Sequence, residues 1–205
     1  MTSAEIAEGK RLAQTISPGT GQLALSQPPE GKIDQTSGGR RYGADYDRFT
    51  EAINRNPQDA NAYYNRGTVL ARQREYEMAK SDFGRAVELN PQDAQAYNNR
   101  CWLNMVLGLS QVAISDCDEA LRLKPQFAEA FDSRGLANLK LGRLDRAVAD
   151  FNAALRLKPN LATSLYARGL AYTQQGDKKR GRSEMDAATK ISADVRQELE
   201  SYGIH

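Results

Sequence analysis

The chain has 205 residues, 28 lysines and arginines against 26 aspartates and glutamates, and a net charge of +2, which with 26% charged and 7% aromatic residues predicts one soluble, helix-rich unit. Acids and bases are interleaved rather than clustered, so the basic stripe that a nucleic-acid partner would need is missing. No apolar run is long enough to cross a bilayer as a helix, and no transmembrane segment is predicted.

In chain order, residues 3 to 16 predict a short helix capped by Thr2 or Ser3, with Ile6, Leu12 and Ile16 loosely on one side. The start lacks a basic flank followed by an apolar core and is not a signal peptide. As it stands it predicts a cytoplasmic protein, or a bacterial periplasmic protein or lipoprotein if a leader has been removed. From Ser17 to Gly43 glycine and proline break every period, which predicts a tether; its one apolar patch is Leu23 to Leu25. Residues 1–43 are thus read as an N-terminal arm.

From Ala44 onward the helical period takes over. Pro57, Pro91, Pro125 and Pro159 fall at one interval of 34 residues. Proline cannot continue a helix and disfavours the helical conformation of the residue before it, so each marks a helix end. Within each interval an aromatic or large residue recurs at Tyr63, Tyr97, Phe131 and Leu165, and a small one four residues later at Gly67, Cys101, Gly135 and Gly169. A second series follows: Ala79, Ala113 and Ala147, then Phe83, Cys117 and Phe151, then Ala86, Ala120 and Ala154.

These residues resemble the tetratricopeptide repeat, and the resemblance covers residues 44 to 193. It implies an all-α, right-handed superhelical solenoid of helix-turn-helix units. The units are an incomplete first repeat at 44–59, of which only the second helix is present, then repeats at 60–93, 94–127, 128–161 and 162–193. In the last of them Gly181, Met185 and Ala193 replace the expected alanine, aromatic and proline, which predicts a loose unit. Residues 194–205 predict a capping helix, capped by Ser192, carrying Val195 and Leu199 on one side and Arg196, Glu198 and Glu200 on a solvated back.

The inventory argues against catalysis. His205 is the only histidine, so a histidine triad, an imidazole acid and base, or a zinc site has nothing to stand on. No glycine-rich phosphate loop follows a strand. The expectation is a non-enzyme without cofactor or metal.

Arg66, Arg100, Arg134 and Arg168 recur at the repeat interval together with Asp82, Asp116, Asp150 and Glu184. They could form a ladder that grips an acidic partner or a row of ion pairs between helices. An acid accompanying every arginine favours the ion pairs. Cys101 and Cys117 take the glycine and phenylalanine slots of one unit and should face each other. The residue types favour two buried free thiols; a disulfide is the alternative, provided the Cα atoms approach within about 7 Å.

By the resemblance, first-helix positions off the packing stripe line a concave wall: Tyr64, Asn65 and Thr68, then Asn98, Asn99, Trp102 and Met105, then Glu129, Asp132 and Leu136, then Tyr166. Amides can bond a peptide backbone while aromatic and methionine side chains bury its side chains. Tryptophan is enriched at binding hot spots, and Trp102 is the only one in the chain. The clamp that holds acidic chaperone tails would need lysines, asparagines and an arginine where this chain has Tyr64, Thr68, Asn99, Glu129 and Ser133; only the asparagine matches. Glu129 and Asp132 predict instead an acidic middle and a neutral or basic extended segment as partner.

The expected function is therefore a scaffold or adaptor that binds a protein or peptide in a groove. The alternative is a self-assembling protein whose arm and incomplete first repeat drive homo-oligomer formation.

Overall fold

In the computed structural model, residues 42–205 are described. The leader helix, the Leu23 to Leu25 patch and nearly all of the tether lie outside the described residues. Those residues form ten α-helices and no strand, and fall into two compact units that divide between Gln92 and Asp93. The first contains α1 (Ala44–Arg55), α2 (Ala60–Arg72) and α3 (Tyr76–Leu89). The second contains α4 (Ala94–Val106), α5 (Ser110–Leu123), α6 (Ala128–Lys140), α7 (Leu144–Leu157), α8 (Ala162–Gln174), α9 (Lys178–Ile191) and α10 (Val195–Ser201).

The helix ends follow from local chemistry. Asn56, Asn90, Lys124 and Lys158 each precede a proline, and all four leave the helix with φ between −134° and −139°. Asp59, Asp93 and Asp177 cap the helices that follow, each side chain accepting a backbone N–H of the first turn. Between the two helices of a hairpin the chain turns through one left-handed residue: Gly108, Gly142 and Gly176, with φ of 81°, 69° and 98°. The next residue's N–H then returns to the carbonyl five positions back, as from Leu109 to Asn104 at 2.7 Å. In the first hairpin Arg74 holds this position with φ of 63°, at a conformational cost of about 1 kcal/mol that glycine avoids.

Inside the hairpins the repeated small residue admits the repeated large one. A Cβ on Gly135 would lie 2.6 Å from the ring of Phe151, and one on Gly67 would lie 3.3 Å from Phe83; both rings are fully buried. In the α4/α5 hairpin the expectation of free thiols is corrected. Cys101 and Cys117 form a disulfide, because the two slots bring their Cα atoms to 5.4 Å, inside the range a disulfide spans.

The expectation of a loose last unit is corrected as well. A Cβ on Gly169 would meet the Gly181 carbonyl at 2.7 Å, and one on Gly181 would meet the Gly169 carbonyl at 2.6 Å. Glycine in place of the expected alanine brings the α8 and α9 backbones into direct contact, and Met185 fills the room that a ring occupies elsewhere.

In the second unit the hairpins stack. α5 packs on α6 and α7 on α8, while α4, α6 and α8 meet in succession along one wall. Leu121, Phe127 and Ala130 close one joint with Tyr97 and Phe131, and Leu155 and Leu161 close the next with Phe131 and Leu165. The aromatic or large position of each first helix thus serves the joint between hairpins.

Candidate functional site

The arginine series forms bonds between helices. Arg66 donates through Nε and Nη2 to both oxygens of Asp82 at 2.8 and 2.7 Å, and Arg100 to both of Asp116 at 2.9 and 2.5 Å. Arg134 Nη2 reaches Asp150 at 2.7 Å and Arg168 Nε reaches Glu184 at 2.6 Å. A remaining nitrogen turns to the preceding helix: Arg134 Nη1 to Asp118 and Arg168 Nη1 to Asn152, both at 2.6 Å. Asn104 and Asn138 add bonds to Asp116 and Asp150. The planar guanidinium ties two hairpins at once, which a lysine ammonium would do with less angular definition.

The eleven groove residues divide between the two units, and all are buried. In the first unit Tyr64 meets Phe83 edge to face with centroids 5.5 Å apart, Thr68 donates to the Tyr64 carbonyl at 3.0 Å, and Asn65 lies between them in sequence on the same helix. In the second unit α4 carries Asn98, Asn99, Trp102 and Met105, α6 carries Glu129, Asp132 and Leu136, and α8 carries Tyr166. Asn98 accepts a bond from Ser133 at 3.2 Å, joining α4 to α6.

What meets this wall is the chain's own last segment. Trp102, only 2% exposed, receives the Tyr202 ring edge to face at 5.5 Å. Lys140 donates to the carbonyls of Tyr202 at 2.7 Å and Met105 at 3.1 Å, binding α4, α6 and the segment through one ammonium. Gln174 on α8 reaches the His205 carbonyl at 3.5 Å. Val195, Leu199, Tyr202 and Ile204 are buried, and α10 packs on α8 and α9.

The capping reading is corrected accordingly. Residues 195–205 reach the first-helix wall as well as the end of the stack. Asp194 rather than Ser192 precedes the helix, with no side-chain cap bond. Glu198, expected on a solvated back, is half-buried; burial pushes its carboxyl above the usual range, and it accepts a bond from the Tyr202 hydroxyl at 3.1 Å. Tyr202 was missed by sequence reasoning, and its one available signal was an apolar pair, Tyr202 and Ile204, straddling the glycine that ends the last helix.

The acidic middle of the wall is corrected too. Glu129 is paired with Lys158. Asp132 is fully buried and accepts bonds from the hydroxyls of Ser164 and of Thr163, the latter at 3.1 Å. Burial, opposed by those hydroxyls and reinforced by Glu198 and Glu129, pushes its pKa up to about 7.

A pH dependence follows. Between the unperturbed value of 3.8 and about 7 the folded chain holds the Asp132 proton and the unfolded chain has lost it. Stability is therefore full below 3.8 and falls as pH rises to about 7. Urea titrations across this window are expected to show the fall in the native chain and a flatter profile in Asp132→Asn; equal slopes would remove Asp132 as the cause.

Among the described residues no helix is long and apolar enough to cross a membrane, and no three His, Cys, Asp or Glu side chains are grouped to hold a metal ion.

Sequence profiles of the tetratricopeptide repeat match residues 60–93 and 162–195, and a further profile of the repeat matches residues 139–176. No curated protein sequence matches the chain. Among solved structures it is similar to MamA from Desulfovibrio magneticus RS-1, with a TM-score of 0.65 at 17% identity over 73% of this chain and 84% of that one. It is similar to YrrB, described as a TPR protein with an unusual peptide-binding site, with a TM-score of 0.61 at 22% identity over 77% and 81%. The TPR domain of Arabidopsis OM64 gives 0.54 at 27% identity over 56% and 94%. With the interval, the hairpin packing and three repeat profiles in agreement, the chain is a tetratricopeptide-repeat protein.

Proposed function

We propose that this protein is a non-catalytic interaction scaffold whose partner-binding surface is the wall of α4, α6 and α8. One observation carries the reading: the wall accommodates a peptide segment in the mode that partner recognition requires, with an aromatic side chain on Trp102 and a main-chain carbonyl on Lys140. A protein or peptide partner would use the same two features. The similarity to YrrB, whose peptide-binding site is named in its description, is consistent with that mode.

The test is capture from a lysate of the source cells by the full chain and by a double variant, Asn98→Ala with Trp102→Ala, both checked for helical content and melting. A partner held by the native chain and lost by the variant is the expected result. Equal capture by both would move binding off this wall. Light scattering of the full chain and of one lacking the arm separates the alternative, self-assembly, because only that reading requires the arm to change the mass.

A further inference from the structure

In the second unit the starts of the second helices change charge from one repeat to the next. α5 opens with Ser110, Gln111 and Val112, which carry none; α7 opens with Leu144, Asp145 and Arg146; α9 opens with Lys178, Lys179 and Arg180, with Arg182 close behind. Two contacts hold these starts side by side along the hairpin turns. Arg143 donates to the Gln111 side chain at 2.8 Å, and Gln175, in the turn before α9, donates to Asp145 at 2.8 Å.

The cations at the start of α9 work against the fold. A helix start is its positive pole, and beyond the capping Asp177 the first turn of α9 holds three cations and no acid. Arg180 is secured, lying over the Tyr172 ring at 3.9 Å and facing Glu184 at 3.7 Å. Arg146, Lys178, Lys179 and Arg182 are exposed and make no ion pair among the described residues. The nearby acids are already engaged: Asp177 accepts the Arg180 N–H, Glu184 accepts from Arg168, and Asp145 accepts from Gln175. Beside these cations lies an open cleft of about 440 Å³, lined by Arg143, Asp145, Arg146 and Gln175 among others.

We propose that this edge is a second interaction surface, apart from the wall of α4, α6 and α8, and that its partner is an acidic, extended peptide segment. Arg146 offers a carboxylate parallel donors, and Lys178 and Lys179 offer point charges. A peptide main chain also brings N–H donors, which Asp145 and the Gln175 side-chain carbonyl can accept; a phosphodiester chain brings only acceptors and meets Asp145 as repulsion. A flat anionic bilayer would leave the cleft unused. Bound carboxylates would offset the charge that the start of α9 otherwise tolerates.

The probes are a fluorescein-labelled peptide of alternating glutamate and glycine and its glutamine counterpart, each titrated with the full chain by fluorescence anisotropy. The glutamate peptide is expected to bind about tenfold tighter. A triple variant of the edge, Arg146→Gln with Lys178→Gln and Lys179→Gln, is expected to lose that tenfold and yet to unfold in urea no earlier than the native chain, because α9 is relieved of misplaced charge. A second triple variant, Lys124→Gln with Arg156→Gln and Lys190→Gln, removes as much charge at the far ends of the same three helices. It should bind the glutamate peptide within about twofold of the native chain. Neither variant touches Trp102 or Lys140, so capture through the wall is a separate readout.

Absence of binding, equal affinity for the two peptides, or equal loss in both triple variants overturns the proposal, the last by reducing the effect to net charge. An edge variant that unfolds earlier than the native chain gives the cations a structural role and overturns it too. Vesicles of phosphatidylglycerol with phosphatidylcholine, and single-stranded DNA, serve as competitors. Displacement of the peptide by either at a lower concentration of negative charge would assign the edge to a membrane or to nucleic acid and overturn the peptide reading; weaker displacement by both supports it.

Discussion

Gly181→Ala is expected to lower unfolding free energy by about 3 kcal/mol, a large effect for one methyl group. The added carbon would sit 2.6 Å from the Gly169 carbonyl and closer still to the Thr173 hydroxyl, and 3.1 Å from the Thr173 amide nitrogen. Two of these three atoms belong to the backbone of α8, so no rotamer change relieves the contact; the helices themselves must separate. Separation would also open Gly169 against Met185 and disturb the end of the stack on which α10 rests. Removing the hydroxyl as well, with Thr173→Ala, should recover only part of the loss because the carbonyl remains. Urea unfolding of the three chains measures both quantities. A Gly181→Ala chain as stable as the native one would mean that α9 shifts without cost and that glycine here is incidental.

Loss of the Cys101–Cys117 disulfide is the second large effect. It closes a separation of 16 residues and joins α4 to α5, so its removal by reductant or by replacing both cysteines with serine should cost about 3 kcal/mol. The repeat itself suggests the rescue. The equivalent positions of the next hairpin are Gly135 and Phe151, in which the glycine admits the ring. The pair Cys101→Gly with Cys117→Phe should therefore regain much of the stability and no longer respond to reductant. Denaturation of the native, double-serine and glycine–phenylalanine chains with and without dithiothreitol decides the matter. Native and double-serine chains of equal stability would show that the disulfide adds nothing to the packing around it.

Much of the fold was legible because its determinants are local and repeated. A proline every 34 residues forces a helix end wherever it falls, and the aspartates that follow two of those prolines satisfy the next helix's free amides. The pairing of Arg66 with Asp82 could be expected from the sequence because both recur at a fixed offset of 16 residues, and the same offset brings the glycine slot over the aromatic slot. Repetition also gave each position several independent readings of its environment, so the fold class did not depend on any single residue.

The site was less legible, and the reasons are physical. A helical wheel for residues 195–201 distinguishes one packed side from one solvated side and so assigned Glu198 to solvent. In the structure the segment meets α8 and α9 with its helix and Trp102 and Lys140 with the residues after it. That second contact joins Tyr202 to Lys140, 62 positions away, and to Trp102, 100 positions away, and leaves no period in the sequence. The thiol pair was misread for a similar reason: slot positions established that Cys101 faces Cys117, while bond formation depended on the 5.4 Å separation that packed helices impose. The charge of Asp132 was likewise set by its surroundings, since the same carboxyl on an exposed helix would ionise near its ordinary value. Sequence by itself thus determined the repeat, the helix ends before its prolines and the ion pairs between its helices, all consequences of short-range periodicity. Tertiary structure alone decided which residues cover the wall, whether the sulfurs bond and which carboxyls keep their protons, because each depends on distances that only the packed chain defines.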